Sequence, residues 1–294
     1  MLSMFDRVTI IGLGLIGGSI GLRLHQAKAA HEIVGYDMGE GSSQRAYRLG
    51  AIDQPCDSLA EAVQGAELVV LATPVGAMQR LLKDIGLLAL PGTVITDVAS
   101  TKSQVVAWAE ELLPSSVPFI GGHPMTGKEV SGVEVADAQL FQNCIYCLTP
   151  TRSTQLVALH KVAAFVEILN ARIRYLEPEE HDKQVASVSH LPFIASVALM
   201  STIAQDATWS EAALLAASGF RDMSRLAGGN PEMYRDICMT NDKAIVARLD
   251  TYIDSLQKIR DSIHIQDKHL AEIFAEAQRQ RLQWLVSRDF SEPQ

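Results

Sequence analysis

The sequence predicts an α/β fold, a doubly wound and mostly parallel sheet followed by an all-helical C-terminal domain. Three observations carry this. Short β-branched runs alternate with helical stretches up to Leu176, a glycine-rich turn follows the first run directly, and beyond Pro178 apolar residues recur only at helical spacing.

The strand-like runs are residues 8–11, 32–36, 68–72, 94–97, 119–120, 145–148 and 172–176. Amphipathic segments at 16–27, 78–88, 104–113 and 154–169 separate them, so helices should cover both faces of the sheet. In the second half helical spacing runs through residues 185–204, 212–217, 245–263 and 270–285. Pro178 suits the first turn of the opening helix, with Glu179 and Glu180 set favourably against its dipole. The expected domains are therefore residues 1–177 and 178–294, a division that suits a chain of two domains at ~150 residues each.

Composition removes several classes of function. With 25 basic and 34 acidic residues the net charge is -9, and no Lys/Arg stripe could track a phosphate backbone, so nucleic acid is not an expected partner. The start of the chain lacks a basic n-region and its apolar run is broken by glycines, so neither a signal peptide nor a membrane span is expected there, and the chain reads as cytoplasmic. The four cysteines are too few for a disulfide framework. Cys144 and Cys147 have C-x-x-C spacing, but they lie in an apolar strand-like run and read as packed thiols.

The first strand runs into Gly12-Leu13-Gly14-Leu15-Ile16-Gly17, which opens a helix: the context of a dinucleotide-binding fingerprint and a Rossmann-type domain. Gly12 permits the tight turn, Gly14 lets the backbone approach a pyrophosphate, and Gly17 allows close packing of helix on strand. The amides at the helix start, Leu15 and Ile16 among them, then face the anion. Asp37, at the end of the second strand and twenty residues past Gly17, can accept from a ribose 2′-hydroxyl and would repel a 2′-phosphate. NAD is thus expected over NADP, although Arg45 is near enough in sequence to meet a 2′-phosphate. Thr73-Pro74 and the Asp97–Lys102 loop follow strands and should border the nicotinamide. Thr73-Pro74 also reads as a plain helix start, and Ser100 as a helix cap.

The loop-like Gly121-Gly122-His123-Pro124-Met125 would hold an imidazole at the cleft, and oxidation of an alcohol needs a base for the hydroxyl proton. A second loop-like stretch, residues 218–225, offers Arg221 and Arg225 for bidentate capture of carboxylates, with Asp222 between them; a solvated Asp-Arg turn is the plain alternative. His190 fits either a pocket or a satisfied core position. His181-Asp182 suggests a metal pair only until one notes that adjacent helical residues point to different sides.

Residues 12–18, 97–102, 121–127, 189–192 and 219–225, in order over nearly the whole chain, closely resemble the prephenate and arogenate dehydrogenases, the TyrA family of tyrosine biosynthesis. The resemblance implies that hydride leaves the ring carbon bearing the hydroxyl and that loss of the ring carboxylate aromatises the product. It implies His123 as the base on the ring hydroxyl, Ser100 orienting the same group, Arg225 holding a substrate carboxylate, His190 lining the pocket and Lys102 near the cleft. Asp222 and Arg221 would organise their loop. Glu129 is a candidate selector between the keto side chain of prephenate and the amino side chain of arogenate. The resemblance also implies a homodimer built on the C-terminal helices and makes tyrosine a candidate inhibitor at the active site, while the chemistry requires no metal. The rival expectations are a 3-hydroxyacid or imine reductase of the related Rossmann-plus-helical class, and a cofactor-sensing binding protein without turnover. Neither would need His123 and Arg225 together.

Overall fold

The computed structural model describes residues 3–127 and 130–289. One sheet of eight strands is ordered β3-β2-β1-β4-β5-β6-β7-β8, with β1 Phe5–Ile11, β2 Ala30–Tyr36, β3 Gln54–Pro55, β4 Leu68–Leu71, β5 Val94–Asp97, β6 Phe119–Pro124, β7 Ile145–Thr149 and β8 Arg172–Tyr175. Helices α1 (Leu15–Ala27), α2 (Ser42–Arg48), α3 (Leu59–Val63), α4 (Met78–Leu88), α5 (Ser103–Leu112) and α6 (Leu156–Ile168) connect the strands. Every pairing is parallel except β6 with β7. The mostly parallel, doubly wound fold is as the sequence predicts.

Period-two alternation places the core. Val8, Ile10, Leu68 and Val70 face one side of the sheet and pack with Phe165 and Val166 of α6. Their neighbours Ile11, Val69 and Leu71 face the other side, with Met78, Leu82 and Ile85 of α4 and Val105 of α5. Both faces are dry, which is why these strands read as continuous apolar runs.

Two features of the sheet differ from expectation. β3, two residues long, is too short to leave a periodic signal. β6 does not stop at Ile120 but runs on through Gly121, Gly122, His123 and Pro124, paired antiparallel with Thr149, Leu148, Cys147 and Tyr146. The glycines make this extension fit: a Cβ on Gly122 would stand 2.5 Å from the Asp97 carbonyl oxygen and 2.9 Å from the Tyr146 ring. His123 is therefore on a strand, held by a ladder, and not in a loop.

After β8 come α7 (Pro178–Val185), α8 (Leu191–Ala204), α9 (Trp209–Ala212), α10 (Ser218–Ser224), α11 (Pro231–Thr240), α12 (Asp242–His264) and α13 (Leu270–Asp289). Pro178 opens α7 with Glu179 and Glu180 in the first turn, as the dipole argument expects. A π-helical turn, Ala186–His190, joins α7 to α8 and is closed by the Leu191 amide on the Ala186 carbonyl. Pro192, which has no N–H to donate, follows this wider turn directly. The stretch taken for a loop, residues 218–225, is instead α10 running into a 3-10 turn, Arg225–Gly228. Its Ser-Gly start resembled turn chemistry, and it is too short for helical periodicity to show.

The chain forms two compact units, one running to Ala244 and the second beginning at Ile245 within α12. The second unit carries Ile253, Leu256, Phe274, Trp284 and Val286, all exposed. In the first, α8 is strongly apolar, yet only Phe193 and Ser196 of its residues are buried. By length and composition the run Pro178–Ala204 could span a bilayer, but its own His181, Asp182 and His190 are buried against the sheet domain and α11.

The close approach of α1 to the loop before β3 gives a test of the packing. A Cβ on Gly21 would overlap the Ala51 carbonyl oxygen, so Gly21→Ala should lower unfolding free energy by about 1–3 kcal/mol in urea titrations.

Candidate active site

The fingerprint turn is built as its spacing requires. Gly12 has φ +94, and a Cβ there would stand 2.5 Å from the Ala72 carbonyl oxygen. A Cβ on Gly17 would overlap the Gly12 carbonyl oxygen. Gly14 is the N-cap of α1 and faces open space, with no atom within 4 Å of where its Cβ would be. Leu15 and Ile16 begin the helix behind it, so its first amides have room to receive a diphosphate. Asp37 braces this turn: one carboxylate oxygen accepts from the Leu13 amide at 2.7 Å and the other from the Gly39 amide at 2.7 Å. A carboxylate has about four lone-pair sites, so capacity remains for ribose.

Arg45 is engaged within the protein. Its guanidinium pairs with Glu134 at 3.1 Å and also reaches the Glu40 carbonyl and the Ser42 hydroxyl. Thr73 and Pro74 follow β4, and Pro74 caps the 3-10 turn Val75–Ala77 that leads into α4, which is the plain helix-start reading. Across from them on α11, Asp236 accepts from the Gly76 amide at 3.1 Å, and Thr240 meets Thr101 at 2.8 Å. These two bonds dock α11 on the loops after β4 and β5.

The chemistry-bearing groups converge where β5, β6 and α7 meet. Lys102 has no exposed surface: its ammonium is bonded to Asp97 and to the Gly122 carbonyl at 2.7 Å. Burial holds its pKa below the ordinary lysine value against the pull of Asp97. Asp97 also accepts from the amides of Gly122 and Ala99. Lys102 therefore cannot meet a substrate directly, as the sequence-based expectation had it; it fixes the strand that carries His123.

His123 is 8 % exposed, and its Nδ1 lies 2.9 Å from Nε2 of His181. His181 Nδ1 lies 2.9 Å from Oδ1 of Asp182. Asp182 in turn accepts from the amides of Lys102 and Ser103, both at 2.8 Å, at the start of α5. That helix has no side-chain cap of its own. The capping oxygen expected of Ser100 is supplied instead by Asp182 of α7, and Ser100 sits half-buried in the loop just before. Burial first, then the repulsion a proton on His123 would meet from a protonated His181 and from Lys102, keep His123 well below the ordinary histidine pKa. Burial pushes Asp182 up, but the bonds from His181, Lys102 and Ser103 outweigh it and leave the carboxyl below its usual range.

His190, 1 % exposed, ends the π turn. Its Nδ1 lies 3.2 Å from the side-chain amide nitrogen of Asn241, which also donates to the Asp182 carbonyl at 2.9 Å. Among the described residues its Nε2 is buried without a hydrogen-bond partner. Phe193 lies beside it, stacked on Tyr234 at a centroid distance of 4.0 Å. Arg225, exposed at the end of α10, acts on the Tyr234 phenol and opposes the upward shift from burial. Asp222 is not drawn into this cluster: it makes an exposed ion pair with Arg221 at 3.8 Å, the solvated alternative. Glu129 lies outside the described residues.

His181, Asp182 and Asn241 belong to the cluster although local spacing does not single them out. Neighbours on a helix are expected to diverge, but here the His181 ring and the Asp182 carboxylate turn toward each other. Asn241 gave no signal, being an isolated polar residue at the end of a helix. Cys144 and Cys147 are free, and burial pushes the Cys144 thiol up to about 11, as packed thiols should behave.

The glycine turn, bracing carboxylate and buried histidines at the carboxyl ends of parallel strands define a nicotinamide-dependent dehydrogenase of the Rossmann class. The family model for the prephenate dehydrogenase nucleotide-binding domain matches residues 20–175, and that for the prephenate dehydrogenase dimerization domain matches residues 177–276. The chain belongs to the prephenate dehydrogenase family. It is 37% identical over 269 residues to the prephenate dehydrogenase of Bacillus subtilis, covering 91% of this chain and 72% of that one. It is 33% identical to the cyclohexadienyl dehydrogenase of Zymomonas mobilis, covering 96% and 97%. Prephenate dehydrogenase from Aquifex aeolicus, solved with hydroxyphenyl propionate and NAD+, superposes with a TM-score of 0.89 at 30% identity, covering 96% and 99% of the two chains.

Two outcomes follow from this geometry. Gly14→Ala should leave thermal stability unchanged and weaken NAD binding in calorimetry, whereas Gly17→Ala should lower both. Burial takes the pKa of His190 from 6.5 to about 4. The unfolded chain therefore takes up the proton first, and stability falls as pH drops from 6.5 toward 4. His190→Gln should recover about 2 kcal/mol of the stability lost between about pH 7 and pH 5 in urea unfolding.

Proposed function

We propose that this enzyme oxidises prephenate, arogenate or both with NAD, giving 4-hydroxyphenylpyruvate or tyrosine and carbon dioxide. Family membership supports the activity. The observation that carries the site assignment is the buried, uncharged His123 on β6, beside the loop that holds Ser100.

When bound, NAD accepts the hydride that leaves the ring carbon bearing the hydroxyl. His123 takes the hydroxyl proton and Ser100 orients that oxygen. The ring carboxylate departs as carbon dioxide, its bonding pair enters the ring, and the proton returns to the phenol oxygen, so charge and atoms balance. A buried neutral imidazole suits this task because it must gain a proton and then surrender it. Arg225 holds a substrate carboxylate, His190 lines the pocket, and Lys102 acts through the strand it anchors. Asp222 and Arg221 organise the surface of α10. Glu129 selects between the keto and amino side chains.

Gly12, Gly14 and Gly17, with the amides of Leu15 and Ile16, receive the pyrophosphate; Asp37 meets the ribose, and Thr73 and Pro74 border the nicotinamide. The engagement of Arg45 by Glu134 favours NAD over NADP. The reaction asks nothing of a metal. Residues 1–177 hold the cofactor, and residues 178–294 complete the substrate site and dimerise through exposed apolar helices. Tyrosine, which keeps the ring hydroxyl and a carboxylate, is a fitting inhibitor at the same site. A cytoplasmic location agrees with four free thiols, two of them buried.

The test supplies prephenate and arogenate separately with NAD, reading NADH and carbon dioxide together. One NADH per carbon dioxide is expected with at least one substrate, and His123→Asn should cut kcat by about 100- to 10,000-fold while NAD still binds. No NADH from either substrate contradicts the assignment.

A further inference from the structure

We infer that Asp182 is a positioning residue that sets the tautomers of two site histidines in opposite senses, making His123 Nε2 a bare acceptor and His190 Nε2 a donor. The inference rests on the reading of His123 as the base and of His190 as a pocket residue.

Asp182 is the group whose hydrogen-bonding sense is fixed. An ionised carboxylate only accepts, and the Asp182 carboxylate already accepts from two backbone amides, which cannot act otherwise. The His181 nitrogen facing it, Nδ1, must therefore carry hydrogen. A neutral imidazole has one N–H, so His181 Nε2 is left with a lone pair. His123 Nδ1, 2.9 Å away, must donate to it. The single N–H of His123 is then spent inward, and its Nε2 keeps the lone pair a base needs.

A second branch leaves the same residue. The Asp182 backbone carbonyl also only accepts, so the Asn241 atom 2.9 Å from it is the amide nitrogen. That nitrogen's other hydrogen points at His190 Nδ1, which accepts it. His190 accordingly carries its hydrogen on Nε2, the atom that is buried and unpartnered. A buried donor without a protein partner favours an acceptor, and the ligand class it fits is an oxygen of the substrate, a carboxylate or a carbonyl. Asp182 thus gives the site one acceptor and one donor, neither of them charged.

Relay through His181 also gives the proton somewhere to lean. As His123 Nε2 gains the hydroxyl proton, the imidazolium donates from Nδ1 to His181, whose Nδ1–H is held by the carboxylate. No bond in the chain need break, because the charge is stabilised by hydrogen bonds already in place.

Asp182→Asn, His181→Gln and His181→Leu test this. An Asn can offer its amide hydrogen to His181, which reverses the sense of the whole chain, while a Gln can still offer His123 an acceptor where Nε2 was. Asp182→Asn and His181→Leu should each lower kcat by about 100-fold or more, while His181→Gln should stay within about tenfold of wild type. KM and NAD affinity should move by less than about threefold in all three, the split that separates positioning from binding. Because Asp182 also caps α5, melting curves accompany the kinetics, and long-range 1H–15N spectra of histidine-labelled holoenzyme report the tautomers without any turnover. Wild type should show His123 with hydrogen on Nδ1 and His190 with hydrogen on Nε2, and Asp182→Asn should reverse His123.

His123 with hydrogen on Nε2 in the folded wild type overturns the inference, as does a kcat in Asp182→Asn within about threefold of wild type. Failure of the proposed reaction itself would look different: wild type would be inactive on both substrates with these tautomers intact.

Discussion

The bond on which the site depends is the one between the Asp182 carboxylate and the first amides of α5. Helix α5 begins with no side-chain cap of its own, and α7 places a buried anion there. An isolated buried carboxylate would be strongly disfavoured, and this one is tolerated because two amides and an imidazole satisfy it. The same contact joins the helical segment after β8 to the carboxyl edge of the sheet. Structural docking and chemical preparation are thus coupled: moving α7 away would uncap α5 and take the His181 acceptor from His123 together.

Around that contact the protein keeps its charges paired and its histidines neutral. Lys102 and Asp97 form a fully buried pair whose remaining bonds go to the Gly122 carbonyl and to the amides of Gly122 and Ala99. That pair straps β5 to the strand carrying His123, in the segment where the sheet turns from parallel to antiparallel. Gly121 and Gly122 let the strand pass where any side chain would collide with Thr149 or Asp97. The π turn at Ala186–His190 closes the other side of the cluster and ends on His190. Each departure from regular structure in this region lies next to a histidine.

The parts of this design that were legible in the sequence are those written in local spacing. Strand, glycine triplet, helix and Asp37 follow one another within a single βαβ unit, so their geometry is set by neighbours in the chain. His123 and His190 could be singled out as residues, but their surroundings could not. The extension of β6 depends on pairing with β7, which comes twenty-odd residues later by any reckoning of the turn lengths between them. The cap on α5 comes from a residue eighty positions away, and the bond from Asn241 spans fifty-nine. Neighbours on a helix diverge where both point outward, but the buried His181 ring and Asp182 carboxylate meet at 2.9 Å. Asp222 shows the converse: a residue that matched the family pattern but sits on the surface, paired with its neighbour.

What holds the account together is the proton arrangement of three histidines around one carboxylate. Neutron diffraction from a deuterated crystal of the NAD complex measures it most directly. The account predicts deuterium on Nδ1 of His123, on Nδ1 of His181 and on Nε2 of His190, with none on Nε2 of His123. Deuterium on Nε2 of His123, or on the Asp182 carboxylate, would contradict it.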